Sequence, residues 1–252
     1  MRVITIINHK GGVGKTTTVV NLGAALAHLG KKVLLVDLDS QANLTYSMGI
    51  HAEDIKHSVY DLMAASCSIS DVIVKFDNID LIPSSLDLSG KEKKALRLSE
   101  SMEELLKKSL KDIDNYDFIL IDCPPALGLF TLNAIVFAKE IFITLQTEYL
   151  ALQGMTKLLK WINLIKKKFS HDVEITGVIA TIYDHRRRLD REIITRVKRY
   201  FHELLFDTYI RDNVSLAESP SHGKTIFDYM PESNGAKDYK KLAEEVMAME
   251  GI

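Results

Sequence analysis

The run His9-Lys10-Gly11-Gly12-Val13-Gly14-Lys15-Thr16 constrains this chain more than any other stretch. It follows the apolar segment 3–7 and opens a segment with helical periodicity. A glycine-rich turn from strand to helix lets successive backbone N–H groups converge on phosphate oxygens, which side chains would obstruct. Lys15 is placed to reach the outer phosphates, and the Thr16 hydroxyl to ligate Mg²⁺. The turn also delivers the anion to a helix N-terminus, where unpaired N–H groups and the dipole favour negative charge. Gly11, Gly12, Val13, Gly14, Lys15, Thr16 and Thr17 are therefore the expected nucleotide-binding residues. An ordinary phosphate loop, G-x-x-x-x-G-K-[ST], has glycine where this chain has His9. It also has no task for a second lysine at the loop entrance. Lys10 is better placed to reach out of its own site.

The segment after the loop supports a helix, because Val19, Leu22, Leu26 and Leu29 fall on one face and Gly30 stands at the C-terminal end. The apolar run 33–36 then reads as a buried strand ending at Asp37. Further strands are expected at 79–82, 118–121, 140–145 and 174–180, with a weaker one at 205–210. Helices are expected at 16–29, 91–111, 131–138, 152–168, 189–202 and 236–249. This alternation predicts an α/β fold of the P-loop NTPase kind, a mainly parallel twisted sheet with helices on both faces. Ligands of such sheets sit beyond the C-terminal ends of strands, which is where Lys10, Asp37, Asp39 and Asp122 fall.

One domain over residues 1–252 is expected, since no repeat, Pro- or Gly/Ser-rich linker or low-complexity tract interrupts the chain. No apolar stretch approaches the roughly 18 to 20 residues needed to span a bilayer. The chain enters a strand at once, which argues against a secretory signal. Cys67 and Cys123 are too far apart for a metal-binding C-x-x-C pair, in keeping with a reducing cytoplasm.

The apolar strand 118–121 is tipped by Asp122, an arrangement suited to Mg²⁺ binding through a water. Asp37 and Asp39 are separated by one residue, so both can point the same way. An ionised Asp39 can accept a hydrogen bond from a water in line with the γ-phosphate. Asp37 reads either as a support of the metal shell or as a turn and cap residue.

The segments "KGGVGKTTT", "VLLVDLDSQANLT" and "FILIDCPPALGLFTLNA" resemble the ParA/Soj partition ATPases, a group with a deviant phosphate loop that also contains MinD and the nitrogenase iron protein. "TIYDHRRRLDREI" and "NVSLAESPSHGKTI" are more similar to the ParA branch. The resemblance implies an ATPase in which Lys10, Lys15 and Asp39 are catalytic, Thr16, Asp37 and Asp122 serve Mg²⁺, and Arg211 and Asn213 lie at the adenine pocket. It further implies that Lys10 contacts the nucleotide of a partner subunit, so that the homodimer forms with ATP, and that hydrolysis is slow until a ParB-type adaptor stimulates it. A nucleoid-associated cytoplasmic protein without membrane attachment follows from the same resemblance.

The formal net charge of −2 gives no overall attraction to nucleic acid, but the distribution does. Arg186, Arg187, Arg188, Arg191, Arg196 and Arg199 crowd one stretch. Ile193, Val197, Phe201 and Leu204 form the apolar stripe of that helix, so the arginines face outward. In ParA-like proteins such residues bind double-stranded DNA without sequence preference. A solvated, salt-bridged helix face is the other reading. Departures from the family are Arg211 and Asp212 for Pro and Arg, Ser215 for an arginine, Ser40 for Pro and His9 for Gln. Two other functions share the loop. A MinD-like membrane ATPase would want a basic amphipathic C-terminal helix, whereas Glu244, Glu245 and Glu250 stand in this tail. An iron–sulfur carrier would want bridging cysteines, and Cys123 reads more simply as a small buried residue. A positioning ATPase for a cargo other than DNA is the remaining alternative.

Overall fold

The computed structural model describes residues 1–86, 101–148, 151–169 and 171–249. Seven strands form one sheet: β1 (Arg2–Ile7), β2 (Val33–Asp37), β3 (Val74–Lys75), β4 (Ile79–Ile82), β5 (Phe118–Asp122), β6 (Glu140–Gln146) and β7 (Glu174–Thr181). Their order across the sheet is β3-β4-β2-β5-β1-β6-β7. All neighbours run parallel except the short hairpin strand β3 against β4.

The strands are apolar almost throughout because both faces are covered. Ile4, Ile6, Val33, Leu35, Phe118 and Leu120 point to one face, and Val3, Ile7, Leu34, Val36, Ile119 and Ile121 to the other. On the first face lie helices α1 (Lys15–His28) and, at the C-terminal end of the chain, Asn234–Ala248. Their buried residues include Val19, Leu22, Leu26, Tyr239, Leu242 and Val246. Gly23 lets α1 come close to β2: a methyl group there would stand 2.7 Å from Leu35 Cδ2. The opposite face holds helices Leu129–Phe137, Ala151–Phe169 and Arg188–Phe201, with Ala134, Ile135, Leu158, Ile162, Ile193 and Val197 buried against the sheet.

The periodic segments therefore form the elements expected of them, and the α/β class holds. The weak strand expected at 205–210 does not form. That segment follows the edge strand β7 with hydrogen bonds only at intervals, Phe206 N–H to Val178 O and Ile210 N–H to Ala180 O, at 3.0 and 2.8 Å. Residues 91–100 of the helix expected at 91–111 lie outside the described residues, and its end forms a 3₁₀ turn at Met102–Glu104 followed by a helix at Leu105–Ser109. Short helices at Asn43–Ser47, Val59–Met63, Ile69–Val72, Val214–Glu218 and Ile226–Tyr229 were not expected from periodicity. No described helix is long and apolar enough to cross a membrane.

Candidate nucleotide site and basic surface

β1 stops at Ile7, and the chain crosses to α1 through two glycines with left-handed backbone, Gly12 (φ 73°) and Gly14 (φ 78°). Only glycine takes this conformation without strain, so the loop stays open for an anion. The loop is fastened from behind. Thr181 donates to Val13 O at 3.0 Å, Asn8 Nδ2 donates to Thr144 O at 2.6 Å, and the Lys10 N–H donates to Asn8 Oδ1 at 3.0 Å. Lys15 is 7% exposed and donates to Lys10 O at 3.0 Å. Burial lowers its pKa, opposed by the charges of Asp122 and Asp39. A buried ammonium folded over an open glycine loop can serve a polyphosphate. Lys10 is half exposed and pairs with Glu148, which follows β6.

The acidic residues do not all face the same way. Thr16 Oγ1 donates to Asp122 Oδ2 at 2.6 Å, and Asp122 Oδ1 is buried with no hydrogen-bond partner. An orphaned carboxylate oxygen beside a hydroxyl is the hard oxygen set that suits Mg²⁺. Burial, and then the charge of Asp37, raise the Asp122 pKa. Asp39 lines the cavity, whereas Asp37 does not. Both Asp37 oxygens are already engaged: Oδ1 accepts from the Asp39 N–H at 3.1 Å, and Oδ2 accepts from Thr45 N–H and Oγ1 at 2.9 and 2.8 Å. In this geometry Asp37 positions Asp39 and the turn of helix Asn43–Ser47.

The cavity holds about 720 Å³. At one end stand Gly11, Gly12, Gly14, Lys15, Thr16, Thr17 and Asp39. The other end is built by Ile210–Asn213, Leu216 and Tyr239. Arg211 and Asn213 therefore share one cavity with the phosphate loop. Arg211 Nη2 and Nε hold the buried Asp238 at 2.6 and 2.9 Å, and Asn213 Oδ1 caps the helix Val214–Glu218 through the Ser215 N–H at 2.9 Å. Asp212, Asp238 and Tyr239 were not foreseen. Asp238 and Tyr239 sit side by side on the last helix, and Tyr239 reaches Thr18 Oγ1 on α1 at 3.1 Å. Nothing local in the sequence marks a pairing across 221 residues.

The six arginines lie together on an exposed surface, as expected, but four are engaged within the chain. Arg186 holds Asp184 at 2.8 Å, and hydrogen bonds from its guanidinium and its backbone N–H keep the Asp184 carboxyl well below the usual range. Arg187 lies 3.2 Å from Asp212, and Arg188 lies 2.7 Å from Glu192. Arg191 Nη1 donates to His185 O at 2.5 Å. For Arg196 and Arg199 no hydrogen-bond or ion-pair partner is found among the described residues.

A strand-ending phosphate loop, a buried Thr–Asp oxygen set and a cavity over the C-terminal ends of β1, β2 and β5 define a P-loop nucleotide-binding protein. A family model described as AAA domain matches residues 1–175. The chain is 45% identical over 250 residues to the sporulation initiation inhibitor protein Soj of Bacillus subtilis, covering 98% of each. It is 44% identical to the chromosome-partitioning ATPase Soj of Treponema pallidum, covering 99% of this chain and 98% of that one. Among solved structures, cobyrinic acid a,c-diamide synthase from Mycobacterium smegmatis with bound ADP and magnesium superposes with a TM-score of 0.84 at 32% identity, over 98% of this chain and 94% of that one. The chain belongs to the ParA/Soj family of partition ATPases.

Proposed function

We propose that residues 1–252 act as a single domain that hydrolyses ATP slowly, pairs with a second copy when ATP is bound, and then holds double-stranded DNA without sequence preference. Its cargo in this reading is a chromosome origin or plasmid, and a ParB-type adaptor stimulates hydrolysis. The protein works in the cytoplasm on the nucleoid. The carrying observation is that one chain joins a lysine-bearing phosphate loop to an exposed arginine-rich segment whose first residues, up to Arg186, line a cleft that shares Arg211 and Asp212 with the nucleotide cavity.

Within the site, the loop amides and Lys15 hold the phosphates, and Thr16 with Asp122 would hold Mg²⁺, which would supply positive charge against the phosphate oxygens. Asp39 accepts from the attacking water, and Asp37 fixes Asp39. Lys10 exchanges Glu148 for the nucleotide of the partner subunit. The last helix buries Tyr239, Leu242, Ala243 and Val246 against its own sheet, so this apolar face is taken up by the fold rather than offered to lipid.

A salt-titrated mobility shift on unrelated duplexes, with ATP, ADP or no nucleotide, tests the reading. Retention should require ATP and fall with salt at a slope near −0.9 per phosphate neutralised. Reversing Arg196 and Arg199 to Glu should abolish it, and Arg188→Glu with Arg191→Glu should weaken it. Retention that ignores nucleotide, or survives both reversals, would reduce the arginine helix to a solvated face.

A further inference from the structure

Two cavities meet at one wall. The nucleotide cavity and a cleft of about 460 Å³ share Arg211 and Asp212. The far side of the cleft is the start of the basic stretch, Tyr183 to Arg186. The wall and the stretch are laced through the backbone, because the Tyr183 N–H donates to Ile210 O and the Asp212 N–H donates to Tyr183 O, both at 3.0 Å. Across the same junction Arg187 lies 3.2 Å from Asp212 and 3.7 Å from Asp184. One arginine is thus shared by two carboxylates, and one of these belongs to the nucleotide cavity.

Ile182 joins β7 to this stretch with a φ of 54°. A β-branched side chain in the left-handed region is a genuine outlier, and such strain persists only where the surroundings impose it. Ile182 also lines the nucleotide cavity. The strained residue and the shared carboxylate therefore flank the same boundary between nucleotide and arginine.

We propose that Asp212 and Ile182 form a coupling device within one protomer: with the cavity empty or holding a diphosphate Asp212 occupies Arg187, and with a triphosphate bound it gives Arg187 up to a nucleic-acid phosphate. This rests on the DNA reading above and adds a route that does not depend on pairing of subunits. Both partners of the ion pair are about half exposed, at 54% and 49%. Such a pair is weak and exchanges readily for another anion. A bound triphosphate adds negative charge to the cavity that Asp212 lines, and the lacing at Tyr183 carries any shift of residues 210–212 into the arginine loop. Linkage makes the effect reciprocal, so DNA must alter nucleotide affinity by the same factor.

The test uses the full chain and its D212N, D212E and I182G variants. Duplex affinity is measured with ATP, ADP and no nucleotide, and binding of a fluorescent ATP is measured with and without duplex. Light scattering records the dimer fraction in parallel. D212N should raise duplex affinity in the ADP and empty states about two- to fivefold, the scale of a half-exposed ion pair. The ratio of ATP-state to ADP-state affinity should shrink accordingly, and so should the effect of DNA on fluorescent ATP. D212E should keep the parent ratio, and I182G should shrink it. An unchanged ratio in D212N at matched dimer fraction overturns the coupling while leaving the DNA reading standing. A parent chain that binds no duplex in any state overturns the DNA reading, and the coupling with it.

Discussion

A carboxyl group with no exposed surface and one unpartnered oxygen resists ionisation. Asp122 is in that position, and burial followed by the charge of Asp37 pushes its pKa up. Burial raises Asp37 as well. A raised folded-state pKa contributes stability that is complete below the unfolded value, about 4 for a carboxyl, and is lost as pH rises through the folded value. The nucleotide-free chain should therefore weaken as pH climbs from about 4 towards and past neutrality. Mg²⁺ with ATP should restore it most at the upper end, since the metal needs the ionised carboxylate. Asp122→Asn keeps the shape and loses the charge. At pH 8 without ligand it should melt above the parent, by about 2–4 °C per kcal/mol recovered, and gain little from Mg²⁺ with ATP. Scanning calorimetry at pH 6 and 8 checks this; equal melting of parent and variant at pH 8 would mean the carboxyl is not held against its ionisation. At this scale the sequence was legible where chemistry is contiguous. Residues 10–17 act through their own backbone turn, so their types and spacing suffice. The direction of a side chain is not so readable. Asp37 and Asp39 look equivalent in sequence, yet Thr45 captures one of them. The arginines of 186–191 look free, yet Asp184, Asp212 and Glu192 stand against them.

Elements meet the loop at its entrance, where three consecutive residues each reach the segment running from β6 into the helix Ala151–Phe169. Asn8 holds Thr144 O, His9 packs on Gly154, and Lys10 pairs with Glu148. A methyl group at Gly154 would stand 2.6 Å from His9 Nε2, so the glycine exists there to admit the ring. Burial and then the charges of Lys157, Lys15 and Lys10 lower the pKa of the ring. Gly154→Ala should displace the ring or the helix start, cost about 1–3 kcal/mol as other overpacked sites do, and weaken ATP binding through the shifted loop. Adding His9→Ala should recover most of both losses. Urea unfolding and ATP affinity of the three variants measure the cycle, and a neutral Gly154→Ala would show that the packing is loose. Neither partner advertised this contact, since a lone histidine and a glycine in a helical segment carry no periodic signal. Long elements were readable because many residues vote for one face. The four-residue helix Ile226–Tyr229 and five-residue helix Asn43–Ser47 are too short to show a period. The run 205–210 is rich in apolar and aromatic residues like a strand, but β7 bonds it only at intervals, so its composition records edge burial rather than pairing.

For the whole molecule the question is what ATP changes. In the free chain both lysines of the loop are held internally: Lys15 rests on Lys10 O and Lys10 on Glu148. Phosphate in the loop competes for Lys15, and Lys10 is half exposed at the mouth, where a second molecule can be reached. If pairing depends on the γ-phosphate, a variant that keeps ATP uncleaved should keep the pair. Asp39→Ala is that variant, because the loop, Thr16 and Asp122 remain while the water loses its acceptor. It should bind ATP, turn over negligibly and accumulate as a dimer, with duplex DNA retained for as long as ATP is present. Lys10→Ala should bind ATP as a monomer and lose the turnover that rises with protein concentration. The parent should lie between the two, dimeric while ATP lasts and monomeric after. Light scattering in ATP and in ADP, read beside phosphate release, separates the three. A monomeric Asp39→Ala under every nucleotide condition would remove the paired state from the mechanism, and would leave Lys10 as a ligand of Glu148 alone.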